Sequence, residues 1–257
     1  MKQHHTLCVI PARYASTRLP GKPLKDIAGK PMICRVYDRA SQATRTEKTI
    51  VATDDDRILQ TVEQHGGTAI MTREDHPTGT DRLAEVAEKL PDYDIIINVQ
   101  GDEPLIDPAL IDSLAAAFDD DPELQMATVK TEITDEAEQQ NPNNVKVVTD
   151  KNGYALYFSR SLMPYPRHHL GIPVYKHIGI YAYQRDFLLK YAKLEPTPLE
   201  RAESLEQLRA LENGYRIKVI ESASKFVGVD TEEDLAKVNE IYKELLSKAD
   251  KAEAKGE

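Results

Sequence analysis

Between Thr6 and Phe118 short apolar runs alternate with stretches of helical periodicity, an order that leaves few folds open. "TLCVI", "KTIVATD", "TAIMT" and "DIIINVQ" read as strands, the last apolar enough for burial on both faces. Between and after them, "GKPMICRVYDRASQA", "DDRILQTVEQHGG", "GTDRLAEVAEKL" and "DPALIDSLAAAF" read as helices, with Pro31 suited to a first turn. The expectation is an α/β fold: a Rossmann-like, predominantly parallel sheet flanked by helices. Ligands in such sheets sit beyond the carboxyl ends of the strands, so the loops after strands are searched first.

From about residue 123 the pattern changes. "QMATVKTEI", "VKVVTDKNGYALYFSR" and "PVYKHIGIYAY" are strand-like, with a turn at Asn152 and Gly153, which predicts an inserted antiparallel lobe over about 123–183. The proline-rich loop "SLMPYPRHHLGIP" within it suits a flap, a subunit contact or plain surface. "PLERAESLEQLRALENG" reads as one helix capped by Gly214, "RIKVIES" and "KFVGVD" as strands, and a long charged helix starts near Thr231. Residues 247–257 are polar and read as a flexible tail. No internal repeat or linker divides the 257 residues, which read as one domain.

A net charge of -10 argues against nucleic acid or anionic lipid as partner. No apolar run approaches the roughly 20 residues that span a bilayer, and the N-terminal apolar run is too short for a signal peptide, so the expectation is a cytoplasmic protein. Cys8 and Cys34 fall in apolar contexts and read as buried hydrophobes, and no histidine pair has zinc-site spacing.

Against that acidity, "IPARYASTRLPGKPL" concentrates Arg13, Arg18 and Lys22, with Ser16, directly after the first strand. Their donors suit phosphate oxygens, although Pro23 after Gly21 and Lys22 excludes a Walker loop. "QGDEP" ends a strand with Gln100, Asp102 and Glu103, and "GVDTEED" offers Asp230, either a helix N-cap or a metal ligand. "TREDHPTGTDR" has the form of a recognition loop around Arg73, Thr78 and Gly79, with Thr80 read as a helix cap only. The aspartates of "ATDDD" suit caps as well as ligands and carry no assigned chemistry. In "YKHIGIYAY" alternation puts His177 and Tyr181 on one face, which suits a sugar or a half-exposed sheet equally.

Taken in order, "IPARYASTRLPGKPL", "NVQGDEP", "NNVKVV", "YALYFSR", "HIGIYAY", "LEQLRALENG" and "GVDTEEDL" resemble the CMP-Kdo synthetases, the 3-deoxy-manno-octulosonate cytidylyltransferases, from about Leu7 to about Tyr242. The resemblance implies a homodimer, magnesium, and reaction of CTP with 3-deoxy-D-manno-octulosonate (Kdo) to give CMP-Kdo, a lipopolysaccharide precursor, and pyrophosphate. It implies that Arg13, Ser16, Arg18 and Lys22 hold the triphosphate and that Arg73, Thr78 and Gly79 lie by the cytosine. Gln100 would reach both the ribose and the sugar. Arg160, His177, Tyr181, Glu206 and Gln207 would line the sugar site, and Asp102 and Asp230 would bind magnesium, with Lys22 beside them in the chemistry. Thr78 stands where serine is frequent in that family, and Lys176 where arginine is common.

Competing readings are a cytidylyltransferase for 8-amino-Kdo or sialic acid, a glycosyltransferase, and a non-catalytic nucleotide-binding module. "GDEP" lacks the second aspartate of a glycosyltransferase Asp-x-Asp site.

Overall fold

The apolar run at the N-terminus forms β1 (Thr6–Ala12), buried along nearly its whole length because it lies inside the sheet. It pairs in parallel with β4 (Lys48–Thr53) and β6 (Ile95–Asn98), and β5 (Ala69–Met71) extends this parallel set beyond β4. A small hairpin of β2 (Asp26–Ile27) and β3 (Lys30–Pro31) lies between β1 and the first helix. The computed structural model describes residues 4–15, 19–168, 170–224 and 226–253, without the side chains of 249–253. Ser16 and Arg18 of the basic loop therefore lie outside the described residues.

Helices α1 (Met32–Ala40), α2 (Asp56–Gln64), α3 (Gly79–Lys89) and α4 (Pro108–Asp120) make the crossovers. The two-residue period of β6 explains its continuous apolar run. Ile97 packs in the core with Ile33 of α1 and Leu110 of α4, while Ile96 packs on the opposite face with Leu83 and Val86 of α3. Side-chain caps fix three helix starts: Asp55 on α2, Thr78 on α3 and Asp107 on α4. Pro31 precedes α1 as its N-cap and is not in the first turn.

The second half supplies β7 (Met126–Ile133), α5 (Glu136–Gln140), β8 (Lys146–Thr149), β9 (Ala155–Ser159) and β10 (Val174–Gln184). It ends with α6 (Arg185–Tyr191), α7 (Pro198–Glu203), α8 (Leu208–Glu212), β11 (Ile217–Glu221) and α9 (Glu232–Glu253). The main strand order is β11-β7-β10-β6-β1-β4-β5, with β10 antiparallel to both its neighbours and β11 parallel to β7. Of the segment 123–183, β7 and β10 are thus strands of the main sheet. Only β8 and β9 form an antiparallel ribbon off its path, joined to β10 at Lys146 and Lys176.

Three local expectations are corrected. The single helix over "PLERAESLEQLRALENG" is two, because Ser204 adopts φ 52 and breaks it between α7 and α8. Residues 226–230 form no strand; Val229 makes one backbone bond, to Asp102, and no ladder. The terminal helix continues to Glu253, seven residues into the segment read as a tail, since Lys, Ala and Glu there favour helix. Cys8 and Cys34 are buried free thiols, pushed up by burial to about 12 and about 11. Among the described residues no helix is long and apolar enough to cross a membrane.

Candidate active site

Close backbone packing assembles three loops at the carboxyl ends of β1 and β6. A Cβ on Gly101 would stand 2.8 Å from the carbonyl oxygen of Pro11, so only glycine lets the "GDEP" turn lie against β1. Val229 then donates its N–H to the carbonyl of Asp102 at 2.9 Å, and the neighbouring Gly228 lies so near Glu103 that a Cβ would approach its Oε1 to 3.2 Å. This joint brings Asp230 to Asp102 across the sheet end. Thr231, not Asp230, caps α9: its hydroxyl accepts from the Asp234 N–H while Asp234 accepts from the Thr231 N–H. The Asp230 carboxylate is directed elsewhere.

It meets Lys22. The Nζ of Lys22 donates to Asp102 Oδ2 at 2.7 Å and to Asp230 Oδ1 at 3.0 Å, the lysine side chain being only 14% exposed. Burial would lower the lysine pKa, but the two carboxylates outweigh it and raise the pKa. Glu103 behind them is pushed up to about 7, first by burial and then by the Asp102 charge. Two carboxylates from separate loops thus converge on one positive charge, an arrangement that accepts a hard divalent cation when substrate phosphates complete the coordination. Among the described residues no group of three or more acidic, histidine or cysteine ligands forms.

Arg13 ties this end to the recognition loop by donating to the carbonyls of His76 and Thr78. Thr78 caps α3 in a reciprocal box with Asp81, so the cap lies two residues before Thr80. Thr80 is instead buried on the side of Glu206 and Tyr183. Among the described residues nothing lies within 4 Å of a Cβ placed on Gly79, at the α3 N-terminus. Arg73 is 68% exposed and pairs with Asp75. Beneath this loop lies a contact that sequence reasoning missed: fully buried Arg82 donates to Asp54 at 2.6 Å and to the Thr72 hydroxyl, clamping the ends of β4 and β5 to α3. Its only signal was the cluster "ATDDD", where a cap and a ligand look alike.

The remaining predicted residues gather on the α3 side of β10. His177 is buried, faces Thr128 at 3.0 Å and packs edge-on against Phe158; burial lowers it to about 3 and keeps it neutral. Its ring centroid is 5.4 Å from that of Tyr181, and Gln100 reaches β10 by donating to the carbonyl of Gly179 at 2.9 Å. The break at Ser204 delivers Glu206 and Gln207 to this region, where burial raises the Glu206 pKa. Glu206 Oε1 and Gln207 Nε2 are buried and have no hydrogen-bond partner among the described residues. Arg160 is held at the edge by the carbonyls of Glu203 and Pro142.

Residues 7–220 match the family profile described as cytidylyltransferase. A 3-deoxy-manno-octulosonate cytidylyltransferase from Fusobacterium nucleatum is 56% identical over 93% of this chain and 97% of its own length. One from Geobacter sulfurreducens is 54% identical over 91% and 98%. Among solved structures, CMP:2-keto-3-deoxy-manno-octonic acid synthetase complexed with CTP superposes with a TM-score of 0.90 at 50% identity, covering 93% of this chain and 99% of its own.

Proposed function

The chain belongs to the cytidylyltransferase family, among the 3-deoxy-manno-octulosonate cytidylyltransferases, and from that premise we propose that it transfers CMP from CTP to Kdo with release of pyrophosphate. The observation that carries the proposal is the meeting of Lys22, Asp102 and Asp230 at one end of the sheet, with the buried, unpaired Glu206 Oε1 and Gln207 Nε2 elsewhere in the candidate site.

In the proposed reaction the anomeric C2 hydroxyl of Kdo attacks the α-phosphorus of CTP. A new P–O bond forms there as the bond to the bridging oxygen breaks, and pyrophosphate carries away the electron pair. Asp102 and Asp230 would hold Mg2+, which when bound would supply Lewis acidity at the α-phosphate and the attacking hydroxyl. The site otherwise works by placing charge. Lys22, held beside the carboxylates, is in reach of phosphate oxygens. With Arg13 and Arg18 it would hold the triphosphate and stabilise charge building on the leaving group.

Arg73, Thr78 and Gly79 would lie by the cytosine, Gly79 leaving room among the described residues for close approach. Gln100 would bridge ribose and sugar. His177, Tyr181, Glu206 and Gln207 would line the sugar pocket, with Arg160 toward the Kdo carboxylate. Neutral His177 can exchange hydrogen bonds with hydroxyls without adding a charge beside an anionic substrate.

The proposal places the enzyme in the cytoplasm, where CTP is available, and makes it a homodimer. Supporting the dimer is the loop between β9 and β10, which leaves Tyr165, Leu170 and Ile172 exposed by 84%, 74% and 61%. Phosphorus NMR of the reaction tests the chemistry. One new phosphodiester resonance together with pyrophosphate is expected, whereas orthophosphate with CDP would mean hydrolysis at a different bond.

A further inference from the structure

Asn98 ends a strand otherwise made of Ile95, Ile96 and Ile97, and it is only 5% exposed. Its Oδ1 is buried and has no hydrogen-bond partner among the described residues. A lone buried amide acceptor at the end of an apolar strand breaks the local pattern and is costly unless something else satisfies it. Its position names that something. Asn98 stands directly opposite Tyr181 in the ladder between β6 and β10, and opposed residues of a ladder share a face of the sheet. Tyr181 in turn lies beside His177 and within the electrostatic reach of Glu206. Two unsatisfied buried atoms, Asn98 Oδ1 and Glu206 Oε1, therefore share the surroundings of one tyrosine.

We propose that Asn98 is a further substrate-binding residue, its Oδ1 accepting a hydrogen bond from a hydroxyl of the acceptor sugar bound beside Tyr181. The inference rests on the reaction proposed above. A carbonyl acceptor held rigidly by a strand favours a hydroxyl donor and penalises an analogue that lacks it, since the amide is then left unpaired.

The test compares wild type with Asn98→Leu, a near-isosteric apolar replacement, and Asn98→Ser, which keeps a polar oxygen on a shorter side chain. Steady-state kinetics with CTP and Kdo are measured together with thermal midpoints. Asn98→Leu should raise KM for Kdo by about tenfold or more, change KM for CTP by about twofold or less, and leave the midpoint equal or higher, because an unpaired buried acceptor is gone. Asn98→Ser should fall between the two, and it carries the test if the leucine variant does not fold. An unchanged KM for Kdo with a lowered midpoint would make Asn98 structural and overturn the inference, as would an effect confined to CTP. Wild type separates the two readings: no reaction with Kdo contradicts the reaction, whereas normal reaction with unaffected variants contradicts Asn98 alone.

Discussion

Lys22 Nζ lies 2.7 Å from Asp102 Oδ2 although 80 residues separate them in the chain. An ammonium that also reaches Asp230 at 3.0 Å holds two carboxylates close together before any substrate arrives. If that pair binds the metal, Asp102→Asn removes a charged ligand at constant shape. Turnover should fall by about 100-fold to 10,000-fold, as expected when several kcal/mol of transition-state stabilisation are lost, while the circular dichroism spectrum stays native. Chelation of divalent metal should abolish wild-type turnover and be reversed by added magnesium.

His177 gives the protein an acid-sensitive core. Burial depresses its folded pKa to about 3 from 6.5, so between these values the unfolded chain binds the extra proton and the folded chain does not. Its contribution is fully present above about pH 6.5 and is lost as pH falls toward 3, with a limit on the order of 5 kcal/mol. Urea unfolding at pH 7, 5 and 4 should therefore show wild type losing stability relative to His177→Gln as the solution is acidified. A difference independent of pH would show that His177 does not titrate in this way.

The buried pair of Arg82 and Asp54 should behave as a clamp under the recognition loop. Asp54→Ala leaves a guanidinium with no exposed surface facing no carboxylate and should cost about 3 kcal/mol in chemical denaturation, with a raised KM for CTP. Adding Arg82→Met removes the stranded charge, so the double variant should recover part of that loss. Additive losses would show that the two residues act independently.

Dimerisation through the loop between β9 and β10 predicts that Leu170→Glu with Ile172→Glu lowers the mass seen by light scattering from dimer to monomer. The burial of β1 and β6 should be unaffected, because these residues lie outside the core. A monomeric wild type would remove the dimer from the proposal.

The parallel half of the fold was legible because its four parallel strands and helices α1 to α4 announce themselves through local periodicity, whereas the short β2–β3 hairpin does not. Most site loops could be located for the same reason: "GKP", "GDEP" and "GVD" sit next to short apolar segments. What stayed hidden depends on distant partners. The break at Ser204 carries no glycine or proline, and it takes tertiary packing to hold φ at 52 and so present Glu206 and Gln207. Thr78 and Thr80 look equally suited to capping α3, and only the fold shows that Thr80 turns inward to Glu206. Arg82 and Asp54 lie 28 residues apart with no shared motif, and their pairing requires the ends of β4 and β5 to be side by side. Residues 226–230 are apolar enough for a strand, yet the close packing of Gly228 on Glu103 uses them as a brace for Asp230.

The most direct test is pyrophosphate release with each of the four nucleoside triphosphates, in the presence of Kdo, 8-amino-Kdo, sialic acid or no sugar, with and without magnesium. Rapid release with CTP, Kdo and magnesium together, and little in any other combination, is the predicted result. Faster release with 8-amino-Kdo or sialic acid, or release that needs no sugar, would contradict the assignment.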